Sequence, residues 1–174
     1  MGLHVGDKKI SRVYHGSVPV KRVYVGNKLV WQDREVLKIP GNVNASQFLK
    51  DALSARGLDY KTVTELPFDL DTSQVTNMSR MFRGCSALTS VPPMDTSQVT
   101  DMSEMFYSCS ALTYVPSMST GQVKNMMSMF YGCSSLKDGK VHLIGKNPGV
   151  STSYMIWGSG LTRQPFFDQE GNPI

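Results

Sequence analysis

Three cysteines carry the most chemical potential in this chain. Cys85, Cys109 and Cys133 could in principle ligate a metal, form a disulfide or supply a nucleophilic thiolate. Their spacing argues otherwise. Each lies 24 residues from the next, far from the Cys-x-x-Cys arrangement of a metal site, and all three fall in register with an apolar stripe. They are expected to stack as buried thiols. His4, His15 and His142 stand in no HExxH or H-x-E setting, and no nucleophile elbow or phosphate-binding glycine loop occurs. Asp69, Asp71 and Asp95 suggest calcium, but the corresponding position of the next unit is Ser119, which carries no charge. Helix capping accounts for Asp71 and Asp95 instead. No catalytic residue, metal ligand or cofactor is expected, and the chain reads as a non-enzymatic protein.

Residues suited to binding form a second set. Arg83, Tyr107 and Tyr131 occupy equivalent positions 24 apart, and Trp157 can continue the line. Arg and aromatic rows are what interface hot spots favour, although the same residues could merely cover the ends of helices. Ser90 and Tyr114, with Asp138, vary between units where neighbouring positions do not. Arg80 and Glu104 are placed to pair across units, a surface contact of small consequence.

The element that must position these residues is the 24-residue repeat. Val75, Val99 and Val123 keep the step, as do Met78, Met102 and Met126, and Leu88, Leu112 and Leu136. Met81-Phe82, Met105-Phe106 and Met129-Phe130 keep it too. Val75, Met78, Phe82 and Cys85 are spaced i, i+3, i+7, i+10, which predicts one stripe of an amphipathic helix. Asp71, Asp95 and Ser119 are its candidate N-caps, with Gln74, Gln98 and Gln122 completing capping boxes. Gly84, Ser108 and Gly132 mark its C-terminus. Short strands are then expected at Leu88–Pro92 and Leu112–Pro116. Stacking such helix-strand units buries the Val, Met, Phe, Cys and Leu columns as a solenoid core.

The expected fold class is therefore α+β: a small antiparallel β domain followed by a short solenoid of about three 24-residue helix-strand units with caps, whose hand and family the resemblance given below supplies. Residues 1–38 form the first domain and 39–174 the second. Within the latter, the repeats run over about 66–137, a capping helix over about 45–57 and a C-terminal cap over about 138–174. Met155 to Leu161 reads there as a worn fourth unit, with Pro165-Phe166-Phe167 over the last open face.

The first domain is basic. Eight Lys and Arg against Asp7, Asp33 and Glu35 give residues 1–38 a charge of +5 within a total of +4, leaving −1 elsewhere. Ile10 to Gly16 is echoed ten positions on by Val20 to Gly26, with apolar and basic residues alternating between Gly breaks, as in antiparallel strands with tight turns. Such a segment suits a solvated sheet face or an acidic protein partner. A nucleic-acid arm is the alternative, and it predicts affinity falling steeply with salt. The opening Met1–Asp7 lacks the apolar core of a signal peptide, Gly6 stands where myristoylation needs Ser or Thr, and no apolar run is long enough to span a bilayer. The protein is expected to be made in the cytoplasm, or to leave it only inside an assembly.

Two resemblances add to this. The run Asp95-Thr96-Ser97-Gln98-Val99-Thr100-Asp101-Met102-Ser103-Glu104-Met105-Phe106-Tyr107-Ser108-Cys109-Ser110-Ala111-Leu112 resembles the repeat of BspA-type leucine-rich-repeat surface proteins, D-T-S-x-V-T-x-M-S-x-M-F-x-x-C-x-x-L. That resemblance implies a right-handed solenoid with strands on one face, and bacterial cell-surface adhesion or protein binding. Val20-Lys21-Arg22-Val23-Tyr24-Val25-Gly26-Asn27-Lys28-Leu29-Val30-Trp31 resembles N-terminal modules of phage minor tail and other virion proteins, V-x-x-V-Y-V-G-x-x-x-V-W. It implies a bacteriophage virion protein, at the tail tip or as capsid decoration. Lys21, Arg22, Tyr24 and Trp31 would then dock it to the particle. Its partners would be other virion proteins in a larger symmetric assembly, and a host surface protein or glycan. A cellular adhesion or protein-interaction module unrelated to phage is the rival.

Overall fold

The computed structural model describes residues 3–5, 8–10, 13–15, 18–20, 22–25, 28–32, 34–168, 172 and 173, with side chains from residue 34 onward. The chain divides into two compact units, Met1–Val36 and Leu37–Ile174.

Among its described residues, the first unit holds three short antiparallel strand pairs. β1 (Leu3–Val5) pairs antiparallel with β2 (Lys8–Ile10), β3 (Val13–His15) with β4 (Val18–Val20), and β5 (Arg22–Val25) with β6 (Lys28–Gln32). Each sheet has only these two strands. The antiparallel β domain expected from the sequence is thus corrected: among the described residues the hairpins do not join into one sheet. Pro19 in β4 is consistent with this, since a residue without an N–H is tolerated on an edge.

β7 (Glu35–Lys38), whose second half opens the second unit, pairs with β8 (Phe68–Asp71). Between them lies α1 (Ala45–Ser54), started by Asn44, whose side-chain oxygen accepts the Gln47 N–H at 3.0 Å. Ala45, Leu49 and Leu53 are buried, so the helix turns one apolar face into the core.

The helix-strand solenoid is overturned as well. No repeat contains a helix; each is a run of turns. The reason lies in where the backbone N–H groups go. In an α-helix every N–H bonds to the carbonyl four residues back. Here alternate groups serve different ends. Met81, Arg83 and Cys85 donate to Met78, Arg80 and Phe82, closing three-residue turns inside the coil. Met78, Arg80, Phe82 and Gly84 donate instead to Asp101, Ser103, Met105 and Tyr107 of the next coil, at 2.8–3.0 Å. The same four bonds join Met102, Glu104, Phe106 and Ser108 to Asn125, Met127, Met129 and Tyr131. They recur from Met126, Ser128, Phe130 and Gly132 to Ser151, Ser153, Met155 and Trp157. This peptide alternation requires left-handed backbone in mid-run, at Arg80, Glu104, Ser128 and Tyr154 with φ between 55° and 60°. A right-handed helix cannot contain such a residue.

The expected strands shrink accordingly. Leu88–Pro92 and Leu112–Pro116 contribute one isolated parallel bridge, Ser90 to Tyr114. A three-stranded parallel sheet forms only from two-residue pieces: β9 (Met118–Ser119), β10 (Leu143–Ile144) and β11 (Phe166–Phe167), with β10 in the middle.

Inside the stacked coils, the apolar columns are buried to the last member. Phe82, Phe106 and Phe130 lie parallel at 5.3 and 5.5 Å between ring centroids. A polar column is buried with them. Thr72 and Thr96 donate their hydroxyls to the carbonyls of Asp95 and Ser119 one coil on, at 2.8 and 2.9 Å. Thr120 does the same to Ile144 and Gly145. Each buried hydroxyl is therefore satisfied, and each ties two coils together.

Candidate functional site

Coil stacking sets side chains at one position of the repeat into a row, and the outward rows are the candidates for function. The best-built runs through Arg83, Tyr107 and Tyr131. Tyr107 and Tyr131 are parallel, 4.8 Å between centroids and 2° between planes. The Arg83 guanidinium carbon sits 4.8 Å from the Tyr107 ring centroid, on the far side of the same row.

Glu104 fixes the arginine. One carboxylate oxygen takes Arg83 Nε at 2.9 Å and the other takes Arg80 Nη2 at 3.0 Å. Glu104 is the more enclosed partner, and its hydrogen bond and charge raise the Arg80 pKa further above its ordinary value. The pairing of Arg80 with Glu104 is visible in the spacing. That Glu104 holds Arg83 as well is not, because positions 83 and 104 belong to different rows. The left-handed backbone at Arg80 and Glu104 aims both side chains out of the coil toward each other.

Trp157 continues the row in its backbone but not in its ring. Its carbonyl accepts the Gly132 N–H at 2.9 Å, the register of Tyr107 and Tyr131. Its ring instead meets Tyr154 edge-on, 6.4 Å between centroids at 80°. Both are strongly exposed, Tyr154 at 67% and Trp157 at 63%.

Ser90 and Tyr114 form a different row. They are joined by the parallel bridge, and Tyr114 is 51% exposed. Asp138 binds Thr162 through both the backbone N–H and the hydroxyl, and these bonds lower its pKa. In sequence, the buried Cys85 and Leu88 fall between the Arg83 and Ser90 positions of the coil.

Among the candidate docking residues, Lys21 lies outside the described residues. Arg22 and Tyr24 fall in β5 and Trp31 in β6, where Trp31 pairs with Val23 and Tyr24 with Leu29 across a register shift.

The cysteines are buried thiols. Cys109 and Cys133 donate to the carbonyls of Phe82 and Phe106, each at 3.0 Å. Burial pushes the pKa of Cys85 and of Cys133 up to about 12, and that of Cys109 upward as well. Such groups are poor nucleophiles at neutral pH. Asp71 and Asp95 cap turns rather than helices: the Asp71 carboxylate takes the N–H and hydroxyl of Ser73, and that of Asp95 takes the Ser97 N–H. These bonds hold both carboxyls below the usual range. Asn77, Asp101 and Asn125 accept the N–H groups of Ser79, Ser103 and Met127, a second capping column whose mixed Asn and Asp residues do not stand out in the sequence. Among the described residues, no group of three or more His, Cys, Asp or Glu is arranged to hold a metal ion, and no helix is long and apolar enough to cross a membrane.

A family model described as "Mycoplasma protein of unknown function, DUF285" matches residues 59–156, which is 98 of the 174 residues. The chain belongs to that family. No curated protein and no solved structure matches it.

Proposed function

We propose that this DUF285 member is a non-enzymatic binding protein of a larger assembly, in which the stacked coils offer the Arg83–Tyr107–Tyr131 row to a partner protein. One observation carries the reading. The guanidinium of Arg83 is held by Glu104 against a tyrosine pair that is itself stacked, so three interface-favoured side chains are pre-ordered on a rigid core. Ordering them beforehand lowers the entropic cost of association. Tyr107 lies between the Tyr131 ring and the Arg83 guanidinium, so it offers its edge and hydroxyl, which suits a polar protein surface.

The setting proposed is a bacteriophage particle, at the tail tip or on the capsid, with the basic N-terminal hairpins as the attachment segment. The resemblance of Val20–Trp31 to virion modules supports this, and the BspA-like repeat supports a cell-surface setting as the rival. Immunogold labelling with an antibody against residues 66–137 separates them. Gold on purified particles, at tail or head, is the expected result. Unlabelled particles together with labelled cell surfaces would replace the virion setting by the cellular one. The binding role has its own test: Tyr107→Ala should weaken adsorption of the purified protein to its target surface about tenfold or more while leaving the fold intact. Full adsorption by that variant would remove the row from the reading.

A further inference from the structure

The two ends of the coil stack are not alike. Within the stack, each of four peptide rows runs from coil to coil: a carbonyl accepts from the coil before, and the N–H of the same peptide unit donates to the coil after. The peptide dipoles of a row therefore point one way and reinforce one another. At the final coil, the corresponding donors are the N–H groups of Thr152, Tyr154, Ile156 and Gly158. No carbonyl among the described residues takes them. The carbonyls of the same run are filled, since Ser151, Ser153, Met155 and Trp157 accept from the coil before.

Beside these donors lies a cavity of about 440 Å³, open to solvent. Thr152, Tyr154, Ile156, Trp157, Leu161 and Gln164 contribute to its lining, and none of its lining residues is charged. At two positions beside the cavity the last coil carries smaller side chains than its predecessors. Bonded in register, Thr152 stands where Met126 and Met102 stand in earlier coils, and Ile156 where Phe130 and Phe106 stand.

We propose that the Thr152–Gly158 edge is a docking site for the backbone of a partner polypeptide, which adds to the stack as its next coil. Three observations choose this occupant. At each earlier junction, the equivalent four donors are filled by carbonyls spaced two residues apart, so the complement of the row is already present three times in the molecule. The donors lie along a line of seven residues instead of converging on a point, which fits a row of carbonyls better than a single anion. The neutral cavity beside them takes an apolar side chain of the added segment, against the exposed rings of Tyr154 and Trp157 that contribute to its lining. A second copy of this chain is disfavoured, because helix α1 lies at the opposite end, where a copy would present its acceptors. Ser46 donates to the Arg80 carbonyl there at 2.8 Å, and Asn44, Gln47 and Lys50 share a pocket with Ser79, Arg80 and Arg83. The edge is a second surface, distinct from the Arg83–Tyr131 row except at Trp157, and it stands whether or not that row binds.

The test uses the full chain and amide hydrogen exchange resolved by residue. The probe is a synthetic peptide of residues 99–111, whose carbonyls at Asp101, Ser103, Met105 and Tyr107 fill the equivalent row inside the protein. In the protein alone, the amides of Thr152, Tyr154, Ile156 and Gly158 should exchange much faster than that of Phe130. With saturating peptide, these four should slow by about tenfold or more. A scrambled peptide should leave them unchanged. Trp157→Ala should weaken the peptide about tenfold, with Phe130 exchange unaltered. Four amides already as slow as Phe130, no slowing with the peptide, or equal slowing with the scrambled one would each overturn the proposal. Slowing that rises with protein concentration alone would overturn it in favour of self-association.

Discussion

Ser128→Gly separates the turn-built coil from a helical one by the sign of its effect on stability. Ser128 sits in mid-run with φ of 56°, half-buried, its N–H donating to Ser153 in the next coil. An L-residue held in left-handed backbone costs roughly 1–2 kcal/mol, which glycine does not incur. Against this, glycine gives the unfolded chain more freedom, a loss of about 0.4–1 kcal/mol on folding. The net is a stabilisation of roughly 0.5 kcal/mol. In the interior of a helix the same substitution would destabilise by about 0.5 kcal/mol, serine itself ranking below alanine there. The two structures thus differ by about 1 kcal/mol, with opposite signs. Urea unfolding followed by circular dichroism reads this as a shift of the midpoint at constant slope. Pairing the change with Ser108→Gly enlarges the shift, since Ser108 also has positive φ and the equivalent positions already hold Gly84, Gly132 and Gly158. A midpoint lowered by Ser128→Gly would refute the left-handed backbone at this position.

Other perturbations follow from the same architecture. Phe106→Ala removes a fully buried ring stacked on both sides and should cost about 3–5 kcal/mol, whereas Tyr107→Ala, one residue on and partly exposed, should cost much less. Equal losses in thermal unfolding would contradict the assignment of inward and outward faces. Thr96→Val keeps the shape but removes the hydroxyl bond to the Ser119 carbonyl, and should destabilise by about 1 kcal/mol; an unchanged unfolding midpoint would mean the Thr column does not tie the coils. The thiols give an alkaline dependence. With folded pKa values of about 12 for Cys85 and Cys133 against an unfolded value near 9, their protonated forms favour the native state. That contribution is whole below pH 9 and is lost as pH rises toward 12. Cys133→Ala should flatten this fall relative to the parent, and parallel stability curves would exclude the thiols as its cause. At neutral pH, a thiol reagent should modify the cysteines only as fast as the coils open.

The repeat length, the buried columns and the equivalence of Arg83, Tyr107 and Tyr131 were legible because all depend on side chains recurring at a fixed step. The conformation of one unit was not. Turns closed at Val75 on Thr72, Met81 on Met78, Cys85 on Phe82 and Leu88 on Cys85 place apolar residues three and four apart, the same pattern that a helix makes. Asp71 and Asp95 deepened the ambiguity, since an Asx turn and a helix N-cap both begin with an aspartate accepting an N–H two or three residues on. The deciding feature was the left-handed residue of each run, which falls on Arg, Glu, Ser and Tyr. None of these announces positive φ as glycine would. In the N-terminal unit, the alternating pattern gave strands and turns but carried no information on whether hairpins join across their edges.

The columns also show where selection by structure ends and function can begin. The buried positions repeat their residue types closely, and so do the capping positions 71, 95 and 77, 101, 125, each of which accepts an N–H that closes a turn of its own coil. Positions 80, 104, 128 and 154 have no such requirement beyond tolerating left-handed backbone, and they hold Arg, Glu, Ser and Tyr. Positions 83, 107 and 131 hold Arg, Tyr and Tyr although solvent would accept smaller side chains there. Large, charged and aromatic groups at sites the backbone leaves free are the ones whose identity the fold does not explain. Glu104 connects both columns through Arg80 and Arg83, so a change at Glu104 should disturb binding through the ladder more than it disturbs the fold. Glu104→Gln tests this directly. A loss of partner affinity with an unchanged unfolding midpoint is the expected result. A fall in stability with unaltered affinity would return the pair to a structural role.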